Sequence, residues 1–337
     1  MNPRIKSVFK ASRQWISTRA LGLLALAGAA LAQGGPAWAD VLAKYPPIGQ
    51  MVDVGGYKLH LYCQGSVSPT VVLEAGSGAT GLYWSLVQPE VAKFARVCVY
   101  DRAGYGWSDP SPKPRTYPVM AEELHTLLAN AKIPGPYLLV GHSLGGIIVR
   151  HFAYQYPAEV AGLVLVDSAT EGQMERFPAA LKKLQNPDDL LKLLRGLEAS
   201  IASGQAAKNP DAFLPLEPRL PRQTAETFRA LMLAHPKQVA AVRAELEVIA
   251  GEKPAPLRRL GNLKLIVLSH GYTDPAGQPG VPPEVIREYE QVWAQLQSEL
   301  AALSSNSKHQ VAQKSGHNIQ LEQPDAVIRA IREALGQ

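Results

Sequence analysis

The chain has 337 residues, of which 46% are hydrophobic and 19% charged. This composition is that of a globular protein with a sizeable core and excludes an intrinsically disordered chain, although the length does not by itself fix the number of domains. The formal net charge of +5 would suit a nucleic-acid partner only if the basic residues clustered in the folded chain.

Residues 1–39 have the order of a secretory signal peptide. Basic residues come first, an apolar run at 20–32 follows, and Ala37-Trp38-Ala39 ends the segment as a cleavage site; the basic residues are Arg4, Lys6, Lys10, Arg13 and Arg19. The apolar run has 13 residues, fewer than the about 20 of a membrane-spanning helix. We therefore expect cleavage after Ala39 and a periplasmic or secreted protein. An uncleaved, membrane-tethered N-terminus is the alternative.

Removal of this segment would take away five of the 34 basic residues and none of the 29 acidic ones. The mature chain would then have 29 of each and a formal charge of zero. No basic cluster remains for phosphate groups, so a nucleic-acid partner is excluded.

Short β-branched runs alternate with helical patterns, which predicts parallel strands joined by crossover helices. The predicted strands are residues 57–63, 70–74, 97–101, 137–140, 163–167 and 263–268. The predicted helices between them are residues 86–95, 120–131 and 144–156, the last stopped by Pro157. The fold class is therefore α/β, with helices on both faces of a mostly parallel sheet.

About 95 residues separate the strand at 163–167 from the strand at 263–268, far more than an ordinary α/β connection. Helical patterns at 181–202 and 224–249 indicate that residues 168–262 form a mainly helical cap. The core would then consist of residues 40–167 and 263–337. A lid over an active site is the commoner use of such an insertion, and a purely structural excursion is the alternative.

The residues Gly141-His142-Ser143-Leu144-Gly145 fit the G-x-S-x-G nucleophile elbow. In this turn a serine hydroxyl projects above a sheet between a strand and a helix. The bare pattern is weak evidence, but here an apolar strand (YLLV) enters it and an apolar helix (LGGIIVRHFAYQY) leaves it. This context predicts that Ser143 is a nucleophile.

Three segments resemble the α/β-hydrolase superfamily, particularly its esterase-like branch: LVGHSLGG at 139–146, VYDRAGYGWSD at 99–109 and SGHNIQLEQPDAV at 315–327. The resemblance covers the chain from about Gln50 to its end. It implies an eight-stranded, mostly parallel sheet, a helical cap after the sixth strand, and a triad in the chain order nucleophile, acid, histidine.

The resemblance places the general base at His317, in a Gly-flanked loop between a strand-like run and the last helix. A neutral imidazole there can take the serine proton and return it to the leaving group. His142, beside the nucleophile, is expected to support the elbow.

For the oxyanion, the resemblance implies one backbone donor at Leu144 and a second in the loop Ala75-Gly76-Ser77-Gly78. Relatives often have His-Gly where this chain has Ala75-Gly76, so the second donor is expected to be the Ser77 amide. Asp101-Arg102 resembles a loop that braces this region and is expected to form an ion pair or a cap.

Two aspartates can serve as the acid of the triad, because the superfamily allows an acid after the seventh or the sixth strand. Asp274 follows the strand LKLIVL in a Gly-x-x-Asp-Pro loop, and Asp167 closes the strand LVLVD. The longer loop could curl over the strand ends toward His317, which favours Asp274; Asp167 remains the alternative.

The cysteines Cys63 and Cys98 lack the spacing of a zinc site. The fold that the resemblance implies pairs the second and fourth strands, where these residues fall. Export would supply oxidising conditions, so a disulfide between them is expected.

The expected reaction is hydrolysis of an ester or related acyl bond through an acyl-enzyme on Ser143. A serine at this position excludes the aspartate chemistry of epoxide hydrolases and dehalogenases. The partner is a small acyl substrate, and no metal or organic cofactor is implied. A peptidase or amidase with the same triad and a non-catalytic binding module on the same fold are the alternatives.

The signal-peptide pattern predicts that the exported protein begins at Asp40. The intact mass of the protein recovered from the periplasm or medium checks this. A mass that includes residues 1–39 would contradict it and support the membrane-tethered alternative.

Overall fold

The computed structural model describes residues 38–337 apart from 185, 254 and 274–280. Eight strands form one sheet in the order β1-β2-β4-β3-β5-β6-β7-β8. Their bounds are β1 Gln50–Asp53, β2 Lys58–Gln64, β3 Thr70–Glu74, β4 Val97–Tyr100, β5 Tyr137–His142, β6 Val160–Val166, β7 Lys264–His270 and β8 Ser307–Ala312.

The sheet is parallel from β4 onward, and β2 pairs antiparallel with both β1 and β4. The predicted fold class, an eight-stranded and mostly parallel sheet, is confirmed. The strand β1 was not among the predicted strands, because its four residues are too few to show alternation. Since β3, β5, β6, β7 and β8 are parallel, their carboxyl ends meet at one edge of the sheet.

Long helices cover both faces of the sheet: Tyr117–Asn130, Leu144–Gln155, Pro283–Ala301 and Pro324–Leu335. Strand side chains alternate between the two faces. On β3, for example, Val71 and Leu73 belong to one hydrophobic cluster, whereas Val72 belongs to the cluster on the opposite face. The helix predicted at 86–95 is shorter than expected, with only Gln88–Val91 helical.

Between β6 and β7 the described residues are mainly helical: Gln173–Arg176, Ala179–Leu184, Pro187–Ala202, Gln205–Lys208, Pro210–Phe213, Arg222–Ala234 and Lys237–Ala250. The helical patterns at 181–202 and 224–249 each correspond to two helices, with Pro187 and Pro236 at the breaks. Asn186 and His235, the residues before these prolines, have ψ values of 121° and 136°. Proline disfavours helical backbone in the residue that precedes it, which explains the breaks.

Cys63 of β2 and Cys98 of β4 are directly opposite in the antiparallel ladder. Their Cα atoms are 4.0 Å apart, and their sulfur atoms are bonded. The bond joins the antiparallel edge of the sheet to its parallel part.

The first described helix, Trp38–Lys44, contacts the insertion. Val41 packs with Trp107 and Leu231, and Lys237 Nζ lies 4.3 Å from the centre of the Trp38 ring. The expected cleavage point after Ala39 falls inside this helix. Among the helices of the described residues, none combines the length and apolarity needed to cross a membrane.

Candidate active site

Ser143 occupies the turn between β5 and the helix Leu144–Gln155. Its backbone has φ 52° and ψ −121°, in a region that costs a non-glycine residue about 1–3 kcal/mol. The turn is held by hydrogen bonds: the Ser143 amide donates to the Val166 carbonyl (3.1 Å), and the Ser143 carbonyl accepts from Gly146 and Ala169 amides (2.9 and 3.0 Å). The residue predicted to be the nucleophile therefore has a strained backbone.

The two glycines of the motif provide space for close backbone approach. A Cβ atom at Gly141 would lie 2.5 Å from the Gly145 carbonyl oxygen. A Cβ atom at Gly145 would lie 2.6 Å from the carbonyl oxygen of Glu74 and 2.7 Å from that of Ala75. These distances are shorter than any van der Waals contact, so the pattern requires glycine at both positions.

His317 lies between β8 and the short helix Ile319–Glu322. Its backbone carbonyl accepts a hydrogen bond from Nε2 of His142 (2.9 Å), the residue next to the nucleophile. Gln320 lies 3.3 Å from the other ring nitrogen of His142. Burial, and then the charge of His317, lower the pKa of His142 to about 3. The neutral His142 therefore fixes the histidine loop to the elbow.

The structure brings Asp167 to His317. Asp167 follows β6 with φ 44° and is fully buried. Its Oδ2 lies 2.5 Å from His317 Nδ1 and 2.7 Å from His270 Nδ1. Oδ1 accepts from the His270 amide (3.0 Å) and from Trp293 Nε1 (2.9 Å).

The environment of Asp167 favours the ionised carboxylate. Burial alone would raise its pKa, but the charge of His270 and the hydrogen bonds from both histidines outweigh burial and lower the pKa far below its usual range. Asp274, the acid that the loop pattern favoured, lies outside the described residues.

His270, the last residue of β7, is a site residue that the sequence reasoning missed. Its Nδ1 contacts Asp167, and its Nε2 lies 3.2 Å from the Glu290 carboxylate. Burial by itself would lower the pKa of His270, but the charge of Asp167 and its hydrogen bond outweigh burial and raise the pKa to about 10. His270 is therefore an imidazolium at neutral pH. A signal was present in the sequence, since a histidine ends an apolar strand of the parallel sheet.

Asp167, His270 and His317 also have the donor types of a metal site, and their nearest ligand atoms lie within 4.8 Å of one another. Two ligands of a tetrahedral zinc ion stay about 3 Å apart. Asp167 Oδ2 lies only 2.7 Å from His270 Nδ1 and 2.5 Å from His317 Nδ1. These distances are too short for two ligands of one ion and are those of direct hydrogen bonds.

The loop expected to supply the second oxyanion donor is braced by Arg102. The guanidinium donates to the carbonyls of Ala75 (2.6 Å) and Gly76 (2.9 Å) and pairs with Glu74 and Glu245. Asp101 does not pair with Arg102: its carboxylate accepts from other groups, including the Gly81 amide (2.8 Å). The expected brace is present, with different partners.

Glu245 connects this loop to the insertion, because it belongs to the helix Lys237–Ala250. Its buried carboxylate accepts hydrogen bonds from the Ser77 hydroxyl (2.8 Å) and the Tyr105 hydroxyl (2.6 Å), in addition to Arg102. The Ser77 side chain is thereby occupied, which leaves its amide as the group available for a ligand. Leu144, the other expected donor residue, begins its helix beside Ser143.

A cavity of about 90 Å³ lies against the nucleophile. Ser143, Ser77 and Leu144 line it together with residues of the insertion. Small-molecule pockets usually enclose about 300–1,000 Å³. The described walls therefore fit a substrate group of only a few atoms.

A mostly parallel sheet with a serine at a strand-to-helix turn, and with an aspartate and a histidine in contact at the same edge of the sheet, is typical of hydrolase folds of this class. Residues 69–324 match the model of the family described as alpha/beta hydrolase fold. The match covers most of the chain, and the protein belongs to this family.

The chain is similar to several known proteins. The uncharacterised protein YqjL of Bacillus subtilis is 27% identical over 270 residues, covering 80% of this chain and 84% of YqjL. A thermophilic esterase from Thermogutta terrifontis superposes with a TM-score of 0.56 at 24% identity, covering 85% and 96% of the two chains; this likeness concerns the fold alone. A probable transporter, efuK of Hormonema carpetanum, is 33% identical over 136 residues, 38% of this chain but only 20% of efuK.

The close approach at the elbow predicts that Gly145→Ala destabilises the fold, because the new methyl group meets backbone atoms that cannot rotate away. Overpacking of this kind costs about 1–3 kcal/mol or more, measured as a lower midpoint of thermal unfolding. Gly251→Ala is the matched control, since a Cβ there has no neighbour closer than 3.6 Å. Equal midpoints for the two variants would contradict the packing argument.

Proposed function

We propose that the protein is a serine hydrolase that cleaves an ester bond through an acyl-enzyme on Ser143. The observation that carries the proposal is the 2.5 Å contact between Asp167 Oδ2 and His317 Nδ1. The loop of this histidine is held by His142, the neighbour of the strained Ser143. Nucleophile, acid and base thus come from the ends of β5, β6 and β8, at one edge of the sheet.

For the acid we propose Asp167 in place of Asp274. A carboxylate that must orient an imidazole has to remain ionised, and the lowered pKa of Asp167 meets this requirement. Its hydrogen bond to Nδ1 selects the tautomer of His317 in which Nε2 is free to accept a proton.

In the first step, His317 takes the proton of the Ser143 hydroxyl as its oxygen attacks the carbonyl carbon. Asp167 stabilises the imidazolium that forms. The Leu144 and Ser77 amides donate to the oxyanion of the tetrahedral intermediate. When the intermediate collapses, His317 returns the proton to the departing alcohol, and the acyl group stays on Ser143.

In the second step, water replaces the alcohol. His317 takes a proton from this water, the resulting hydroxide attacks the acyl carbonyl, and the proton returns to the Ser143 oxygen as the carboxylic acid leaves. The substrate is a small acyl compound, in keeping with the cavity beside the nucleophile.

We also propose that the protein acts outside the cytoplasm. The signal-peptide pattern of residues 1–39 supports export. The bond between Cys63 and Cys98 supports it independently, because disulfides persist mainly in oxidising compartments.

The proposed mechanism predicts that a fluorophosphonate probe labels the protein at Ser143, read out by mass spectrometry of the labelled peptide. Ser143→Ala should remove both labelling and hydrolysis of p-nitrophenyl esters. A folded protein that neither reacts with the probe nor hydrolyses any ester would reject the proposal in favour of a binding module.

The two aspartates make a matched pair of variants for the same experiment. Asp167→Asn should lower ester turnover by about 10²–10⁴, the range expected when the orienting acid is lost, and Asp274→Asn should leave turnover near normal. Circular dichroism checks that both variants are folded. The reverse pattern would identify Asp274 as the acid.

His270 is expected to stabilise the buried carboxylate of Asp167. The groups that face its ring are the Asp167 and Glu290 carboxylates, His317, and the rings of Trp293 and Tyr289 beside Glu290. Its imidazolium donates to Oδ2 of the fully buried Asp167. A neutral residue at 270 would leave this carboxylate without its charged partner.

His270→Gln should therefore lower the midpoint of thermal unfolding, because removing one partner of a buried charge pair leaves the other uncompensated, at a cost of about 3–5 kcal/mol. His309→Gln is the control, because His309 lies on β8 and contacts Ser269 instead of Asp167. A midpoint of His270→Gln as high as that of the control would argue against this role.

A further inference from the structure

The cavity beside Ser143 has an apolar wall and a polar wall. The apolar wall comes from the elbow helix and the insertion: Leu144, Ile147, Ala169, Met174 and Ile249. The polar wall, apart from Ser143 and Ser77, contains Tyr117, Thr170, Gln173 and Glu252. Gln173 is engaged, since its side-chain oxygen accepts from the Thr170 amide (2.9 Å).

Two hydroxyl groups on the polar wall are buried, those of Tyr117 and Thr170, whose residues are 4% and 3% exposed. The Thr170 hydroxyl has no hydrogen-bond partner among the described residues, whereas the Tyr117 hydroxyl interacts with the Glu252 carboxylate and keeps its oxygen as an acceptor. Tyr117 lies next to the Glu252 carboxylate, and burial together with that charge raises the pKa of its phenol. Buried polar groups in native proteins are nearly always paired, so the Thr170 hydroxyl indicates a polar ligand.

Glu252 places a negative charge on the same wall. Its carboxylate accepts from the Gly172 amide at 3.3 Å. The neighbouring carboxylate of Glu171 is paired with Arg150 and His151, whereas no Lys, Arg or His of the described residues lies within 4.0 Å of Glu252. Burial, with a further contribution from the charge of Glu171, raises the pKa of Glu252. This carboxylate would be stabilised by a cation in the cavity.

We propose that Glu252, Tyr117 and Thr170 form a recognition point for a primary ammonium group on the acyl chain of the substrate. An ammonium group has three donors and no acceptor, which matches one carboxylate and two hydroxyl oxygens. A substrate hydroxyl would bring a single donor and leave the charge of Glu252 uncompensated. Ser77 and Leu144, the expected oxyanion donors, line the same cavity, so we assign the bound group to the acyl part that stays on Ser143.

The inference rests on the proposed ester hydrolysis and names its substrate class: short acyl esters that carry a protonated amine. The methylene carbons between carbonyl and amine would contact the apolar wall. The small volume of the cavity limits this chain to a few carbons.

The test compares kcat/KM at pH 7 for methyl butyrate and for the methyl esters of its 2-amino, 3-amino, 2-hydroxy and 3-hydroxy derivatives, followed in a pH-stat. At least one amino ester should exceed methyl butyrate by about 10-fold or more, because a site built to hydrogen-bond a substrate group discriminates strongly against an analogue without it. Glu252→Gln should remove most of this preference. Tyr117→Phe and Thr170→Val, which keep the shape of the side chain, should each reduce it.

Glu247→Gln is the matched control, since Glu247 lies nearby on the insertion but pairs with Arg243 at the surface; its preference should equal that of the unmodified protein. Methyl butyrate hydrolysed as well as every amino ester, or a preference unaffected by Glu252→Gln, would overturn the inference while leaving the hydrolase function intact. A hydroxy ester preferred over both amino esters would also overturn it. Failure to hydrolyse any ester, with Ser143 unlabelled, would reject the proposed function and this inference together.

Discussion

The arrangement of the candidate site depends on the buried carboxylate of Asp167. Burial of an ionised carboxylate is costly unless hydrogen bonds and opposite charges compensate it. Here the compensation comes from β7, from the helix Pro283–Ala301 and from the loop after β8, through His270, Trp293 and His317. Elements far apart in the chain are therefore held around one carboxylate, and the imidazole of His317 is oriented by it.

His270 and Glu290 change the electrostatics of this arrangement relative to a simple acid and base. The imidazolium of His270 lies between the carboxylates of Asp167 and Glu290. Its positive charge cancels the negative charge of Glu290, so the negative charge of Asp167 is left to pair with His317. In the mechanism that we propose, Asp167 balances the positive charge that His317 gains in each step, without solvent having to reorganise around it.

The insertion is joined to the catalytic edge by polar contacts as well as by apolar packing. Glu245 is buried and binds Arg102, Tyr105 and Ser77, so the loop with the expected oxyanion donor is held between the core and the helix Lys237–Ala250. The same helix is followed by Glu252, on the wall of the cavity. The helix Lys237–Ala250 thus braces the loop of the expected oxyanion donor, and the residues that follow it supply the charge that we propose recognises the acyl chain.

The sequence by itself determined the fold class and six of the eight strands, and it predicted the position of the nucleophile, because these follow from local patterns. Apolar runs specify the strands, and Gly141 and Gly145 mark a turn in which backbone atoms approach too closely for any side chain. The sequence also limited the acid to Asp167 and Asp274. Only the tertiary structure brought Asp167 to His317 and revealed His270, since contacts between residues more than 100 positions apart depend on how neighbouring strand ends align. For the same reason the cavity wall formed by Tyr117, Thr170 and Glu252 has no signature in the linear sequence: its members come from a core helix, a strand-following loop and the end of the insertion.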